Sequence, residues 1–124
     1  MTAQVTVGNL RSCEVSSNGE EIRINVADQA GAPHQICLSP DMASALAMTL
    51  PRLLSAALQA RYADPSIRFV FPLGGYTLEQ APGDRQLLLS LKTPDGFEVC
   101  FRISQETIRS LAVMADGAQP SFAH

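Results

Sequence analysis

The sequence predicts an α+β fold in which a strand-strand-strand-strand-helix unit occurs twice. The chain matches itself at a shift of 65 positions, which places Gly31 on Gly96 and Ser39 on Ser104 without a gap. Apolar and polar residues alternate upstream of each serine, as is typical of half-buried strands. A segment with helical periodicity follows each serine. A self-match at a fixed period indicates a repeated structural unit.

The first half begins with a run of short strands. We expect strands at residues 5–7, 11–17, 21–27 and 34–38. Between the second and third of them, the Asn18-Gly19 pair suits a tight hairpin. Ile22, Ile24 and Val26 lie on one side of the third strand, which gives it an apolar face.

The first helix is predicted at residues 40–60. Ser39 suits the N-cap and Pro40 the first helical position. Pro51 removes one backbone donor from the helix. Because Pro51 falls on the polar side, we expect a bend around the core rather than an end.

The second half repeats this order. We expect strands at residues 67–71, 76–80, 87–92 and 97–103. Ser104 is predicted to cap a shorter helix that ends at Gly117.

These elements predict one antiparallel sheet with both helices packed on one face, since the strands and helices each have one apolar side. The chain is expected to form a single domain, residues 1–124, of two tandem repeats. The repeats are residues 1–62 and 66–117, with a linker at 63–65 and a loose tail at 118–124.

Composition excludes several classes of function. With 46% hydrophobic and 17% charged residues, the chain is typical of a globular protein. Its net charge of −3 and its single lysine, Lys92, argue against a general affinity for nucleic acid or an anionic membrane. Residues 1–10 have neither a basic region nor an apolar run, and the sequence has no apolar run of membrane-spanning length. We therefore expect no targeting segment and a cytoplasmic protein of bacterial type.

The residues with catalytic potential form no recognisable constellation. His34 shares its parity with Ile36 at the start of a strand, so we expect a partly buried structural histidine. The three cysteines, Cys13, Cys37 and Cys100, lack metal-binding or redox spacing and are expected to be reduced. Cys100 lies close to Arg102 in the sequence, but no base accompanies it, so it is a weak candidate for a nucleophile. We therefore predict no catalytic residues, no metal, no cofactor and no enzymatic activity.

The order of elements resembles two families of single-strand nucleic-acid-binding proteins, the PUR-repeat and the PC4-like proteins. The resemblance covers both halves and includes the strand-to-helix junction "HQICLSPDMASAL". It implies intertwined repeats or subunits and a curved sheet face that binds a single strand of DNA or RNA.

The polar sides of the strands argue against that function. Binding of single strands needs basic residues together with exposed aromatic side chains. The outward positions carry charges of both signs and no aromatic residue: Ser12, Glu14, Arg23, Asn25, Gln35, Cys37, Thr77, Glu79, Leu88, Ser90, Lys92, Glu98, Cys100 and Arg102. The leading hypothesis is a small non-catalytic module that self-associates or binds an unidentified protein partner, with single-strand nucleic-acid binding as the alternative.

A homodimer is predicted from one shared anomaly. Met48 and Val113 are related by the 65-residue shift, and each lies opposite the apolar side of its helix. Burial of both residues in a dimer contact would explain this, and two-fold dimers are the commonest assembly. We also expect Cys13 to be buried, while Cys37 and Cys100 lie on the polar side of their strands.

Overall fold

The computed structural model describes residues 2–83 and 85–118 and confirms the α+β class. Its elements in chain order are β1 (Val7–Val15), β2 (Ile22–Asp28), β3 (Pro33–Leu38), α1 (Pro40–Tyr62), β4 (Gly75–Gln80), β5 (Leu87–Lys92), β6 (Glu98–Ile103) and α2 (Gln105–Gly117). A strand-strand-strand-helix order therefore occurs twice. The chain divides into two compact units, Met1–Phe69 and Val70–His124.

Each unit contains its own antiparallel three-stranded sheet, with strand orders β1-β2-β3 and β4-β5-β6. The sequence predicted one antiparallel sheet, whereas the structure has two. Within the described ranges, each strand pairs only with its neighbours along the chain. Tight hairpins connect those neighbours, so pairing is completed inside each unit.

The described residues form three strands in each unit, and the prediction of four is corrected in both halves. In the first half, the two strands expected at 5–7 and 11–17 are the single strand β1. Its pairing with β2 shifts between Val7 and Asn9 and again between Leu10 and Ser12. Such irregularities interrupt a polar–apolar alternation and thereby imitate a break between strands.

In the second half, the strand expected at 67–71 does not form. Side chains of helix α1 form hydrogen bonds with backbone groups of this segment instead. The side-chain amide of Gln59 donates to the carbonyl of Ile67 at 3.0 Å, and the hydroxyl of Ser55 accepts from the N–H of Phe69 at 3.1 Å. Backbone groups that find side-chain partners do not need a neighbouring strand.

The duplication extends to the residue level. The six residue pairs of β2 and β3 become the six pairs of β5 and β6 when 65 is added to each number; for example, Ile24–Ile36 becomes Leu89–Phe101. The connecting hairpins also match. Gly31 and Gly96 have φ angles of 90° and 97°, a conformation that glycine adopts at no steric cost. This agreement supports two copies of one structural unit.

Both predicted helix starts are confirmed. The Ser39 hydroxyl accepts from the N–H of Met42 at 3.2 Å, and the Ser104 hydroxyl accepts from the N–H of Thr107 at 3.1 Å. Helix α1 continues through Pro51, as expected. It has 23 residues and α2 has 13, but neither helix contains a buried residue. The sequence predicted that the apolar side of each helix packs on a sheet, but no residue of either helix is fully buried.

We expect Ser39→Ala and Ser104→Ala each to lower the free energy of unfolding by about 1 kcal/mol, because each removes the acceptor for an otherwise unpaired N–H. Urea titration at a fixed protein concentration measures this loss. Ser44→Ala and Ser110→Ala are matched controls at exposed helical positions and should not destabilise the protein. Equal effects of the cap and control substitutions would contradict the assigned capping role.

Candidate interaction surface

The first sheet has one apolar face. Residues directly opposite each other in an antiparallel sheet share a face, so the register of β1, β2 and β3 defines its members. We call the apolar residues on this side the first apolar face: Val7, Leu10, Cys13, Val15, Ile22, Ile24, Val26, Ile36 and Leu38. Asp28 and His34 lie at one end of the same side. Of these, only Val26 is buried. The β2 members are the best covered, while most of those on the outer strands are exposed.

The second sheet has an equivalent surface, the second apolar face. Its members are Tyr76, Leu78, Leu87, Leu89, Leu91, Val99, Phe101 and Ile103. The side on which each lies agrees with the sequence-based parity. None of them is buried, and Tyr76 and Phe101 are 71% and 50% exposed. This surface therefore carries several large apolar side chains in contact with water.

An apolar groove of about 330 Å³ lies at one end of the second apolar face. Phe71 and Phe97 stack along it with ring centroids 5.6 Å apart, and Leu73 and Val99 contribute to its walls. The sequence did not predict this groove, because Phe71 and Leu73 belong to a segment expected to be a strand and turn. The dense apolar content of residues 67–73 is the signal that could have indicated it.

The opposite face of the first sheet is polar and internally bonded. The side-chain amide of Asn25 donates to the Ser12 hydroxyl at 3.0 Å. The side-chain amide of Gln35 donates to Oδ1 of Asn25 at 2.9 Å. The described strand residues on the polar faces of both sheets include no aromatic side chain. These faces therefore lack the stacking platform on which single-strand recognition depends.

The cysteines correct one prediction. Cys13 lies on the first apolar face opposite Ile24, as expected, while Cys37 and Cys100 lie on the polar faces. However, all three are exposed and unpaired by disulfide, so the predicted burial of Cys13 is wrong. The reason is that Cys13 belongs to an outer strand of a face that the chain leaves largely uncovered.

His34 has a structural role in a hairpin, but it is exposed rather than partly buried. Its Nε2 lies 2.9 Å from a carboxylate oxygen of Asp28. The other carboxylate oxygen accepts from the N–H groups of Ala30 and Ala32 at 3.0 and 2.9 Å. The pair thereby fixes the turn between β2 and β3.

The described part of the chain offers no metal-binding cluster of three or more His, Cys, Asp or Glu residues. No helix within it is long and apolar enough to cross a membrane. Beside the first hairpin lies an open polar depression of about 390 Å³, lined by residues such as Ser16, Glu20 and Arg23. Arg23 and Glu21, which are two positions apart in the sequence, form an ion pair beside it at 2.7 Å.

Met48 and Val113 are 81% and 71% exposed, which agrees with their assignment to the non-core sides of their helices. The apolar sides of the helices are also exposed, however, at Leu46, Leu50 and Leu53 in α1. The exposure of Met48 and Val113 is therefore part of a more general exposure of apolar residues on both helices.

Comparisons of the chain with models of protein families, with curated proteins and with solved structures found no match.

The Asp28–His34 contact predicts a specific response to pH. The hydrogen bond from His34, followed by that from the Ala32 N–H, holds the pKa of Asp28 below its usual value. A carboxylate with a lowered pKa stabilises the folded state above its unfolded pKa, and this contribution is lost as the pH falls through the folded pKa. We expect His34→Ala to raise the pKa of Asp28 and to move this loss to higher pH.

Carboxyl-carbon NMR titration measures that shift. Asp64 is the internal control, because its lowered pKa is caused by hydrogen bonds from Ser66 and should not respond to His34→Ala. An unchanged Asp28 pKa in the variant would contradict the contact.

Proposed function

We propose that the protein is a non-catalytic self-associating module, whose first and second apolar faces are covered by a second copy of the chain. The observation that carries this proposal is the extent of uncovered apolar surface. In the described residues, the buried hydrophobic residues are Val26, Ala27 and Ala81, whereas 23 large hydrophobic residues are at least 38% exposed. Exposed apolar surface on this scale is typical of proteins that bind a partner through it.

The accessible area gives the magnitude. The chain exposes 10429 Å². Two compact units of these sizes, even without any contact between them, would together expose about 7,700 Å². The difference is roughly 2,700 Å² for each chain, or about 5,400 Å² for a pair, which corresponds to the upper end of the area of about 2,000–5,000 Å² or more that obligate dimers bury in total. A second copy supplies an apolar surface of the same kind and size, which supports a homodimer over a small ligand.

The bonding of polar side chains also supports this assignment. On the polar face of the first sheet, Ser12, Asn25 and Gln35 bond to one another, whereas the apolar faces are largely in contact with water. The three exposed free cysteines stay reduced most readily in a reducing compartment, which supports our expectation of a cytoplasmic protein.

Substitutions on the second apolar face test the proposal. We expect Phe101→Asp to weaken the dimer at least about 100-fold, because it removes roughly 2–3 kcal/mol of apolar burial and adds a charge. Sedimentation velocity measures the change. Thr77→Asp is the matched control, since Thr77 is exposed on the polar face of the same sheet and should leave the dimer intact.

Met48→Glu together with Val113→Glu examines the helical contact proposed from the 65-residue shift. If both residues are buried between two copies, the added charges should weaken the dimer by a few kcal/mol. A wild-type protein with the 13.3 kDa mass of one chain at every concentration would overturn the proposed self-association.

A further inference from the structure

Strand β6 is a sheet edge without the protection that its counterpart carries. Both β3 and β6 lie at the outside of their sheets. The 65-residue shift places Pro33 of β3 on Glu98 of β6. Proline has no N–H and blocks further pairing at an edge, and such residues are a common defence of edge strands. β6 contains no proline between Glu98 and Ile103.

The hairpin before β6 determines which backbone groups face outward. The N–H of Thr93 donates to the carbonyl of Phe97 at 2.8 Å, so the backbone of Phe97 is directed toward β5. Because backbone groups alternate along a strand, those of Glu98, Cys100 and Arg102 are directed away from β5. In β3 the residues at the equivalent outward positions are Pro33, Gln35 and Cys37, and Pro33 has no N–H to donate.

The other outer strands are less suited to pairing with a second copy. β1 has two irregularities in its register, and irregular edges resist further pairing. β4 contains a single charged residue, Glu79, so a symmetric pair of β4 strands would include no pair of opposite charges. β6 contains one charge of each sign.

The sequence of β6 is self-complementary about Cys100. If two β6 strands run antiparallel with the Cys100 residues opposite each other, Glu98 lies opposite Arg102 of the second copy. Val99 then lies opposite Phe101. In this register every residue meets one from the same face, because Glu98, Cys100 and Arg102 are on the polar face and Val99 and Phe101 on the apolar face. Opposite charges directly across two strands stabilise their pairing.

We propose that β6 pairs antiparallel with β6 of a second copy, about a two-fold axis at Cys100, and joins the two second sheets into one of six strands. This inference rests on the proposed self-association and specifies its surface. The two-fold axis keeps both second apolar faces on the same side of the joined sheet. The pairing therefore extends the apolar surface instead of hiding it, and this larger surface stays available for further contacts with the second copy.

Glu98→Pro tests the pairing with a change that the protein itself contains at the equivalent position of β3. The hairpins match residue for residue, so the variant should keep the fold, which circular dichroism checks. We expect the dimer dissociation constant to rise about 100-fold, because an outward N–H and a charge pair are both lost at two symmetric places. Glu98→Ala is the control that keeps the N–H, and it should have a smaller effect.

Cross-linking tests the register. In a chain with Cys13→Ser and Cys37→Ser, oxidation by diamide should join Cys100 to Cys100 of the second copy, with both thiol hydrogens taken up by diamide. Opposed residues of a hydrogen-bonded pair have Cα atoms about 5.5 Å apart, a distance that a disulfide spans. The matched control is Gln35→Cys in a chain with all three natural cysteines replaced by serine. It occupies the equivalent place on the proline-protected β3 edge and should not cross-link.

A charge exchange tests the symmetry. Glu98→Arg and Arg102→Glu should each weaken the dimer about tenfold, since each places like charges opposite one another. The double variant should recover most of the lost affinity, because opposite charges again face each other across the two-fold axis.

The outcomes separate this inference from the proposed function. A dimer that persists in Glu98→Pro, with no Cys100 cross-link and no recovery in the double variant, would overturn the β6 pairing and leave self-association through another surface. A wild-type monomer would overturn both.

Discussion

Burial of apolar surface is the constraint on which this structure depends. Each unit is a three-stranded sheet followed by one helix, and a small layer of this kind has little interior of its own. The central strands β2 and β5 are the best-covered elements, while most residues of the outer strands and both helices are exposed. Because hydrophobic burial is the main favourable term in folding, a chain that leaves this much apolar surface uncovered needs a further surface to pack against.

The duplication shows which features of the unit are under local control. The hairpin glycines, the serine caps and the register between the second and third strands are the same in both copies. Each of them satisfies a local requirement of the backbone, such as a positive φ angle or an unpaired N–H. The two copies differ at their outer parts. α1 is ten residues longer than α2 (23 against 13), and β3 has Pro33 where β6 has Glu98.

Those differences fall where the proposed contacts lie. Of the two equivalent edge strands, β3 is blocked by proline and β6 is not, so pairing is directed to β6. Natural sheets avoid uncontrolled association by blocking edges in this way. Burial and edge pairing together would account for both the uncovered faces and the asymmetry of the repeats.

Features governed by local residues could be predicted from the sequence. The side on which each strand residue lies, the capping by Ser39 and Ser104 and the passage of α1 through Pro51 all follow from residues close in sequence. Features that depend on distant packing could not. The strand expected at 67–71 is replaced by contacts with Ser55 and Gln59, and the burial expected for Cys13 requires a covering layer that its parity does not guarantee.

The same distinction applies to the candidate surface. The alternation of apolar residues indicates the two apolar faces, but it does not show whether the same chain covers them. The groove beside Phe97 depends on the path of residues 70–74, which no local pattern determines. The free edge of β6 becomes apparent only when the register is known, because Pro33 and Glu98 occupy equivalent places in it.

The concentration dependence of unfolding tests the central claim most directly. If a second copy supplies the missing burial, then folding and association are coupled. A hundredfold increase in protein concentration should then add about 2.7 kcal/mol to the apparent stability. The midpoint of a urea titration should rise accordingly, with a single transition at each concentration. A midpoint that is the same at both concentrations would contradict the account, because it would show that one chain is stable with its apolar faces in water.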